Sequence, residues 1–367
     1  MTPRSGDLAA RLAARIRRDG PISIADYMAC ALTDPQDGYY TRQNPLGAAG
    51  DFTTAPEISQ MFGEMIGAWC IDCWHRMGRP APFALAEFGP GRGTLMADLL
   101  RIAAMDTEFR AAIRVHLVET SPTLRAAQRA ALADVAVSWH DGIATLPRLP
   151  LLAIANEFVD ALPVRQFERS AAGWCERLVD IDPAGAAPEE FRFVLSAPLD
   201  PGALPAPADA PPGAIAEACP QGRAFAAELA GRIVADGGAA LLVDYGYDHG
   251  HGDTLQAVRR HRFVPFLAAP GDADLTAHVD FAALATAAKA VGATVHGPVT
   301  QGEFLRMLGI ETRAARLTAK AAPAQRAEIA GALRRLIADD EMGRLFRTIA
   351  FAAPGLPGLA GFAPNAT

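Results

Sequence analysis

An acidic residue followed by three glycines at alternate positions constrains the fold of this 367-residue chain more than any other stretch. The motif reads Glu87-x-Gly89-x-Gly91-x-Gly93. It lies between an apolar run at 83–86 and a helical pattern at 94–104. Glycine permits a tight turn and a close backbone approach to a ligand, and a helix start has unpaired N–H groups. The stretch therefore predicts the strand, turn and helix that begin a nucleotide-binding βα unit.

The spacing of the glycines distinguishes between two classes of ligand. A dinucleotide fingerprint G-x-G-x-x-G that begins at Gly89 requires glycine at the position of Thr94. The acid-x-G-x-G-x-G pattern present here resembles motif I of class I methyltransferases that use S-adenosyl-L-methionine (SAM). The cofactor-binding residues predicted from this motif are Glu87, Gly89, Gly91, Gly93 and Thr94. The alternative is a glycine turn that only packs a helix against a sheet.

Composition and charge exclude several function classes. With 34 basic and 41 acidic residues the net charge is −7, which disfavours a nucleic-acid partner or an anionic membrane surface. No run approaches the roughly 20 apolar residues of a membrane span, so we expect no membrane insertion. Cys70 and Cys73 form a C-x-x-C within a helical pattern, without a second pair nearby, so we predict no metal site.

Carboxylates follow the second and third predicted strands. The apolar run at 113–118 ends at Glu119, and the run at 135–139 is followed by Asp141. A carboxylate at the end of the second strand can accept hydrogen bonds from both ribose hydroxyls, and one after the third can hold an adenine amino group. Glu119 and Asp141 are therefore predicted cofactor-binding residues. A helix cap and a simple Asp-Gly turn are their respective alternatives.

Polar and aromatic side chains follow the fourth and fifth predicted strands, at 149–155 and 239–243. Ligands of open parallel sheets bind outside the carboxyl ends of the strands, so these side chains should face the reacting group. We predict catalytic roles for Asn156, Glu157, Asp160 and Asp244. Asn156 is also a cofactor-binding candidate, and Phe158 and Tyr245 are substrate-binding candidates.

The region before the glycine motif is predicted to be helical, apart from a loop of small, polar and acidic residues at 47–59. We interpret this loop as a lid over the glycine motif. Its residues Asp51, Phe52 and Thr53 are predicted to contact the substrate. An ordinary capped helix entry is equally compatible with the spacing.

The order of the elements predicts an α/β fold with a seven-stranded mixed sheet and helices on both faces. The predicted domains are a helical region with the lid at 1–80, a core at 81–163 and 222–367, and an inserted β and loop subdomain on the substrate side at 164–221. Helices are predicted at 58–77, 223–235, 281–291, 303–308 and 312–337. His278 is a further catalytic candidate, because an imidazole suits proton transfer near neutral pH.

Several segments together resemble one family. The most specific are Asn-Glu-Phe-Val-Asp-Ala-Leu-Pro at 156–163 and Gly-Asp-Phe-Thr-Thr at 50–54, supported by 118–122, 243–246 and 276–281. Across nearly its whole length the chain resembles the MidA-like family, which includes the mitochondrial complex I assembly factor 7 methyltransferases. The resemblance implies a class I SAM-methyltransferase (Rossmann-like) fold, with SAM as cofactor and S-adenosyl-L-homocysteine (SAH) as product. It also implies arginine methylation of the 49-kDa-type subunit of complex I.

The predicted partners are a protein substrate and neither nucleic acid nor membrane, with a homodimer as an open alternative. The expected location is the bacterial cytoplasm, or the mitochondrial matrix for a eukaryotic member. Glu157 and Asp160 would pair with the substrate guanidinium, and its proton would leave through Asp244 or His278. Three other functions stay open: an NAD-linked oxidoreductase, a methyltransferase of small molecules or nucleic acid, and a non-catalytic SAM-binding assembly chaperone.

Overall fold

The computed structural model describes residues 7–42, 54–185, 187, 189–200, 209–248 and 252–363. These residues form two compact units. The smaller unit contains the described parts of Met1–Phe52, Asp160–Gly222 and His249–Asp280, and the larger unit those of Thr53–Val159, Arg223–Asp248 and Phe281–Thr367. No helix in these ranges is long and apolar enough to cross a membrane.

Helices and strands alternate along much of the described chain. The α-helices are α1 (Asp7–Asp19), α2 (Ile24–Thr33), α3 (Tyr39–Arg42), α4 (Ala55–Ile58), α5 (Gln60–Arg76), α6 (Thr94–Ala103), α7 (Thr107–Ala112), α8 (Pro122–Ala131), α9 (Pro220–Asp236), α10 (Phe281–Ala290), α11 (Gln301–Met307), α12 (Ile310–Lys320), α13 (Pro323–Ile337) and α14 (Met342–Leu345). The strands are β1 (Ile22–Ser23), β2 (Phe83–Phe88), β3 (Ile113–Val118), β4 (Val137–His140), β5 (Leu151–Asn156), β6 (Arg165–Ser170), β7 (Gly173–Ile181), β8 (Phe191–Pro198), β9 (Ile215–Ala218), β10 (Gly238–Tyr247), β11 (Gln256–Arg259), β12 (Arg262–Phe263), β13 (Asp274–Thr276), β14 (Val279–Asp280), β15 (Thr294–Thr300) and β16 (Phe346–Ala352).

The main sheet of the larger unit is mixed, as predicted. Its strands pair in the order β15-β16-β10-β5-β2-β3-β4. The pairs of β2 with β3, β2 with β5, β3 with β4 and β5 with β10 are parallel, whereas β16 is antiparallel to β10 and β15. Every residue of β2 is buried, which is typical of a parallel strand with both faces covered.

The register of this sheet aligns the carboxyl ends of β2, β3 and β5. Phe88 of β2 pairs with Val118 of β3 and with Ala155 of β5. Asn156, at the end of β5, pairs with Val243 of β10. The residues that directly follow these positions therefore lie at one edge of the sheet, where ligands of such folds bind.

Close packing of α5 on α6 holds the helix that follows the glycine motif. A Cβ atom on Gly63 would lie 2.6 Å from the Asp98 Cβ, and one on Gly67 would lie 3.1 Å from the Leu99 carbonyl oxygen. Glycine at these two positions of α5 therefore lets the two helices approach more closely than larger residues would. Trp74, near the end of α5, packs against Phe83 of β2 with ring centroids 6.2 Å apart.

The smaller unit is built on antiparallel strands. β7 pairs with β1, β6 and β8, and β6 pairs with β9. A second sheet has the order β12-β11-β13. Leu8, Leu12 and Ile16 recur at helical spacing in α1 and join Tyr27 and Val179 in the core of this unit.

Two helix predictions differ from the structure at turn residues. The single helix predicted at 312–337 is wrong, because α12 ends at Lys320 and Pro323 begins α13. Proline lacks the N–H of a helix interior but is well tolerated in a first turn. The helix predicted at 58–77 is divided at Ser59, whose side chain caps α5 by accepting a hydrogen bond from the Met61 N–H.

The two units also divide the chain differently from the predicted domains. Residues 55–76 belong to the larger unit because α5 packs on α6, whereas the helices before residue 42 belong to the smaller one. The insertion at 164–221 lies in that smaller unit together with β1, which pairs with β7. The packing of each segment, which no local pattern records, decides this grouping.

Candidate active site

The glycine loop, residues 89–93, connects β2 to α6 through left-handed backbone. The φ angles are +61° at Gly89, +51° at Gly91 and +84° at Gly93. Residues with a Cβ rarely adopt such angles, so this path requires glycine. At Gly89 there is also no space, since a Cβ atom would lie 2.8 Å from Cδ2 of Phe158.

Glu87 lies beneath this loop in the interior of the sheet. It is 3% exposed, and its Oε2 accepts no hydrogen bond from any residue the structure describes. Burial raises the pKa of this carboxyl from 4.5 to about 8, and a hydrogen bond from the Met96 backbone opposes the rise. A buried oxygen without a hydrogen bond raises the free energy of the folded protein, so a ligand that donates a hydrogen bond to it would be bound favourably.

Glu119 is held at the end of β3 with its carboxylate oriented by neighbours. Its Oε1 accepts the Ser121 N–H at 2.7 Å, and its Oε2 accepts the Gln128 amide at 3.3 Å. Burial raises the pKa of Glu119, while these two hydrogen bonds lower it. A carboxylate has about four acceptor sites, which leaves capacity for the hydroxyl groups of a ribose.

Asp141 lies just after β4, and its side chain is 80% exposed. Its Oδ1 accepts a hydrogen bond from Arg125 at 2.6 Å. The same guanidinium also donates to the carbonyl oxygens of Glu119 and His140. Arg125 therefore ties Asp141 to the ends of β3 and β4, and the predicted contact with adenine stays a prediction.

Asn156 and Glu157 form a hydrogen-bonded pair at the end of β5. The Asn156 Nδ2 donates to Glu157 Oε1 at 3.1 Å, and the Ala55 N–H donates to the same oxygen at 2.8 Å. The buried Oδ1 of Asn156 accepts no hydrogen bond from the described residues. Burial raises the pKa of Glu157 from 4.5 to about 7, which these hydrogen bonds partly offset.

The backbone at Glu157 adopts a conformation that is uncommon for a residue with a side chain. Its φ is +50°, and its N–H donates to the Val243 carbonyl oxygen at 2.9 Å. Strained backbone of this kind occurs often at functional sites. Together with the raised pKa, it makes Glu157 the leading candidate for proton transfer among the described residues of the larger unit.

Asp244, which follows the last residue of β10 that pairs with β5, holds the turn that follows Glu157. Its Oδ2 accepts the N–H groups of Phe158 and Val159 at 3.1 and 2.9 Å, and its Oδ1 accepts that of Tyr245 at 2.9 Å. The side chain is 2% exposed. These contacts give Asp244 a positioning role, which the sequence did not predict.

The aromatic candidates both have packing partners. The Phe158 ring lies 5.0 Å from that of Phe225 and 6.1 Å from that of Phe88, measured between centroids. The Tyr245 ring lies 5.7 Å from that of Phe346. Their predicted contacts with a substrate stay predictions.

Asp160 and His278 belong to the smaller unit. The Asp160 carbonyl oxygen accepts the Ala277 N–H at 3.1 Å, and the His278 N–H donates to Thr254 Oγ1 at 2.9 Å. Burial lowers the pKa of His278, which favours its neutral form at pH 7. Asp51, Phe52 and Thr53 lie outside the described residues, so the lid interpretation stays a prediction.

The predicted site has contacts with two further residues, Glu57 and Gln128, which were not predicted from the sequence. Glu57 of α4 accepts a hydrogen bond from the Thr94 hydroxyl at 2.8 Å, and Arg92 lies 3.7 Å from its other oxygen. Gln128, in the middle of α8, donates to the Gly91 carbonyl oxygen at 2.8 Å. The sequence could have indicated a role for Glu57, because it lies in the loop at 47–59 that was predicted to cover the glycine motif. Gln128 belongs to no motif, so the sequence did not indicate its role.

The residues at this edge fit SAM. Two buried acceptors, on Glu87 and Asn156, receive no hydrogen bond from the described chain and could accept one from the amino end of the cofactor. The oriented carboxylate of Glu119 suits a ribose, and the glycine loop allows the backbone to approach closely. Among the described residues no group of three or more metal-ligating side chains is present.

Comparisons with known proteins agree with this fit. A family described as S-adenosyl-L-methionine-dependent methyltransferases matches residues 65–299. The chain is 39% identical to the mitochondrial protein arginine methyltransferase NDUFAF7 of Danio rerio over 92% of this chain and 84% of the relative. It is 37% identical to the human protein of that name, over 92% and 81%.

Solved structures extend the similarity to the whole fold. A protein from Burkholderia thailandensis bound to S-adenosyl-homocysteine is 31% identical, with a TM-score of 0.81 over 97% of this chain and 94% of that one. The native crystal structure of a protein from the same organism matches with a TM-score of 0.82 at 32% identity, covering 98% of this chain and 95% of that one. The predicted α/β methyltransferase fold and the SAM cofactor are thus confirmed. The chain therefore belongs to the family of SAM-dependent methyltransferases that matches residues 65–299.

Proposed function

We propose that this enzyme transfers the methyl group of SAM to an arginine side chain of a protein. The observation that carries the proposal is Glu157, a carboxylate with a pKa raised to about 7 at the ligand-binding edge of the sheet. The curated relatives named above, which bear the name protein arginine methyltransferase, support the same substrate class.

The cofactor would be held by the glycine loop and the acids around it. These residues are Glu87, Gly89, Gly91, Gly93, Thr94, Glu119, Asp141 and Asn156. When bound, SAM supplies a methyl group already activated by its positively charged sulfur. The protein therefore has mainly to align a nucleophile, and such positioning can supply about 7–11 kcal/mol of the barrier reduction.

Glu157 would act on the substrate guanidinium, which stays protonated in free solution. Its carboxylate would pair with two N–H groups of the guanidinium and fix the plane of that group. The raised pKa suits the acceptance of a proton near pH 7, as a general base requires. The Ala55 N–H and the Asn156 amide hold one carboxylate oxygen in place during this step.

For the substrate protein, we propose the 49-kDa-type subunit of respiratory complex I. The support is the resemblance to the complex I assembly factor family over the segments at 50–54 and 156–163. Methylation during assembly would place this enzyme in the compartment where the complex is built.

Methyl-labelled SAM added to an extract of cells that lack this enzyme tests the proposal. We expect purified wild-type protein to label an arginine of the complex I subunit, read by peptide mass spectrometry. Glu157→Gln should bind SAH within about twofold of wild type yet lose at least about 100-fold in labelling rate. Label on another protein would remove the proposed substrate only. SAH binding without any label would instead favour a non-catalytic assembly chaperone.

A further inference from the structure

Gln128 is a fully buried amide in the middle of α8, and none of the activity described above uses it. Its Oε1 accepts the indole N–H of Trp139 at 2.9 Å. Its Nε2 donates to the Gly91 carbonyl oxygen at 2.8 Å and to Glu119 Oε2 at 3.3 Å. One side chain therefore contacts the glycine loop, the acid that ends β3, and β4.

The chemistry of these partners allows only one orientation of the amide. An indole N–H can only donate, so the amide oxygen must face Trp139. A backbone carbonyl can only accept, so the amide nitrogen must face Gly91. The two hydrogens of that nitrogen then serve the two acceptors, Gly91 and Glu119. No other neutral side chain of this length offers one acceptor and two donors in this arrangement.

We infer that Gln128 is a positioning residue for the cofactor site, which sets the spacing between the glycine loop and the Glu119 carboxylate. SAM must contact both groups at once, so their separation decides how well it binds. The inference rests on the assignment of Gly91 and Glu119 to the cofactor. It does not depend on the identity of the methylated substrate.

Gln128→Met keeps the length and burial of the side chain but removes all three hydrogen bonds. We expect SAH to bind at least about tenfold more weakly, because the Gly91 carbonyl and the Trp139 N–H lose their partner and the loop relaxes. Isothermal titration calorimetry of the full chain with SAH measures this directly. Thermal unfolding without ligand shows how much of the effect is a loss of fold.

Gln301→Met is the matched control. Gln301 lies in the same unit, is fully buried, and donates its amide to the Leu336 carbonyl oxygen at 2.9 Å. Its substitution should lower the unfolding temperature as Gln128→Met does. The affinity for SAH should stay within about twofold of wild type, because a single unmade hydrogen bond elsewhere acts on folding alone.

A second variant separates positioning from packing. In Gln128→Glu the new carboxylate would face Glu119, with Arg125 and Arg129 on the same helix and Asp141 after β4. Two facing carboxylates repel each other when both are ionised, so the pKa of one of them is raised and it stays protonated to a higher pH. Below that pKa the proton restores a donor. The affinity for SAH relative to wild type should therefore be higher at pH 6 than at pH 8.

The outcomes distinguish this inference from the cofactor assignment itself. If Glu119→Gln weakens SAH binding and Gln128→Met does not, the positioning role is wrong and the cofactor assignment stands. If neither changes the affinity, both are wrong. An equal loss of SAH affinity in Gln128→Met and Gln301→Met would show that Gln128 contributes only to packing. A loss of SAH affinity in Gln128→Glu that does not change with pH would show the same.

Discussion

Two separate constraints act on the single residue Gly89. Its φ of +61° lies in the left-handed region, and the Phe158 ring occupies the space that a Cβ atom would need. The first constraint concerns the backbone alone, whereas the second concerns the surroundings. They can be separated because other glycines of the same unit are subject to only one of them.

Gly89→Ala should weaken SAH binding as well as stability, because the loop must move away from Phe158. The φ constraint alone costs about 1–2 kcal/mol. Gly309→Ala is the control, since Gly309 has a φ of +90° but nothing within 4 Å of its would-be Cβ. It should lose stability by that amount and keep its affinity for SAH. Urea unfolding and calorimetry with SAH compare the two, and equal affinities would contradict the steric argument.

The positions of several candidate site residues were predictable at this scale because they follow apolar runs. Glu119 and Asn156 lie where strands end, and strand periodicity indicates those ends, whereas β10 continues past Asp244 to Tyr247. The contacts of Gln128 were not predictable, because they join residues 37 and 11 positions away. The positioning role of Asp244 depends likewise on the pairing of β10 with β5.

At the scale of elements, one buried carboxylate connects three helices. Glu64 of α5 is 1% exposed and accepts two hydrogen bonds from Arg313 of α12, at 2.7 and 2.9 Å. Arg101 of α6 lies 3.4 Å from the same carboxylate. Because α6 begins at the glycine loop, this contact links α12 to the base of the predicted cofactor site.

Glu64→Gln should lower the free energy of unfolding by about 2 kcal/mol, since it weakens hydrogen bonds to charged groups and leaves Arg313 unpaired. Glu311→Gln on α12 is the control, because Glu311 is 62% exposed and 3.8 Å from Arg306. An exposed pair of this kind contributes about 0–1 kcal/mol. Urea denaturation measures both, and a similar loss in both variants would show that burial of Glu64 contributes nothing.

Element boundaries were less predictable than the elements themselves. The strands β2, β3 and β5 agree with their predicted positions to within two residues, since long apolar runs indicate buried strands. The break at Pro323 was missed because the residues on both sides keep helical spacing. Proline as the first residue of α13 is recognised only once the turn before it is located.

At the scale of the whole molecule, burial of acids couples stability to pH. The pKa is raised to about 8 at Glu87 and to about 7 at Glu157. An unfolded chain would release both protons near pH 4.5. The folded state therefore holds more protons than the unfolded state between these values. This contribution to stability is complete below about pH 4.5 and is lost as pH rises to about 8.

Glu87→Gln should remove part of this dependence, because glutamine carries no proton to lose. We expect the free energy of unfolding to fall between pH 5.5 and pH 8.5 by a few kcal/mol less in the variant than in wild type, since each pKa unit corresponds to about 1.4 kcal/mol. Urea unfolding at the two pH values gives the difference. Parallel pH profiles for the two proteins would exclude a buried neutral Glu87.

The hydrogen bonds by which the Asp244 carboxylate holds the turn after β5 include those from the backbone N–H groups of Phe158 and Val159. Every amino acid except proline carries such a group. A different side chain at either position would therefore leave these two hydrogen bonds in place, whereas it would change the packing of the Phe158 ring on Phe88 and Phe225 or that of the buried Val159. A substitution in this turn, other than to proline, would therefore disturb the packing around Phe158 before it disturbs the backbone beside Glu157.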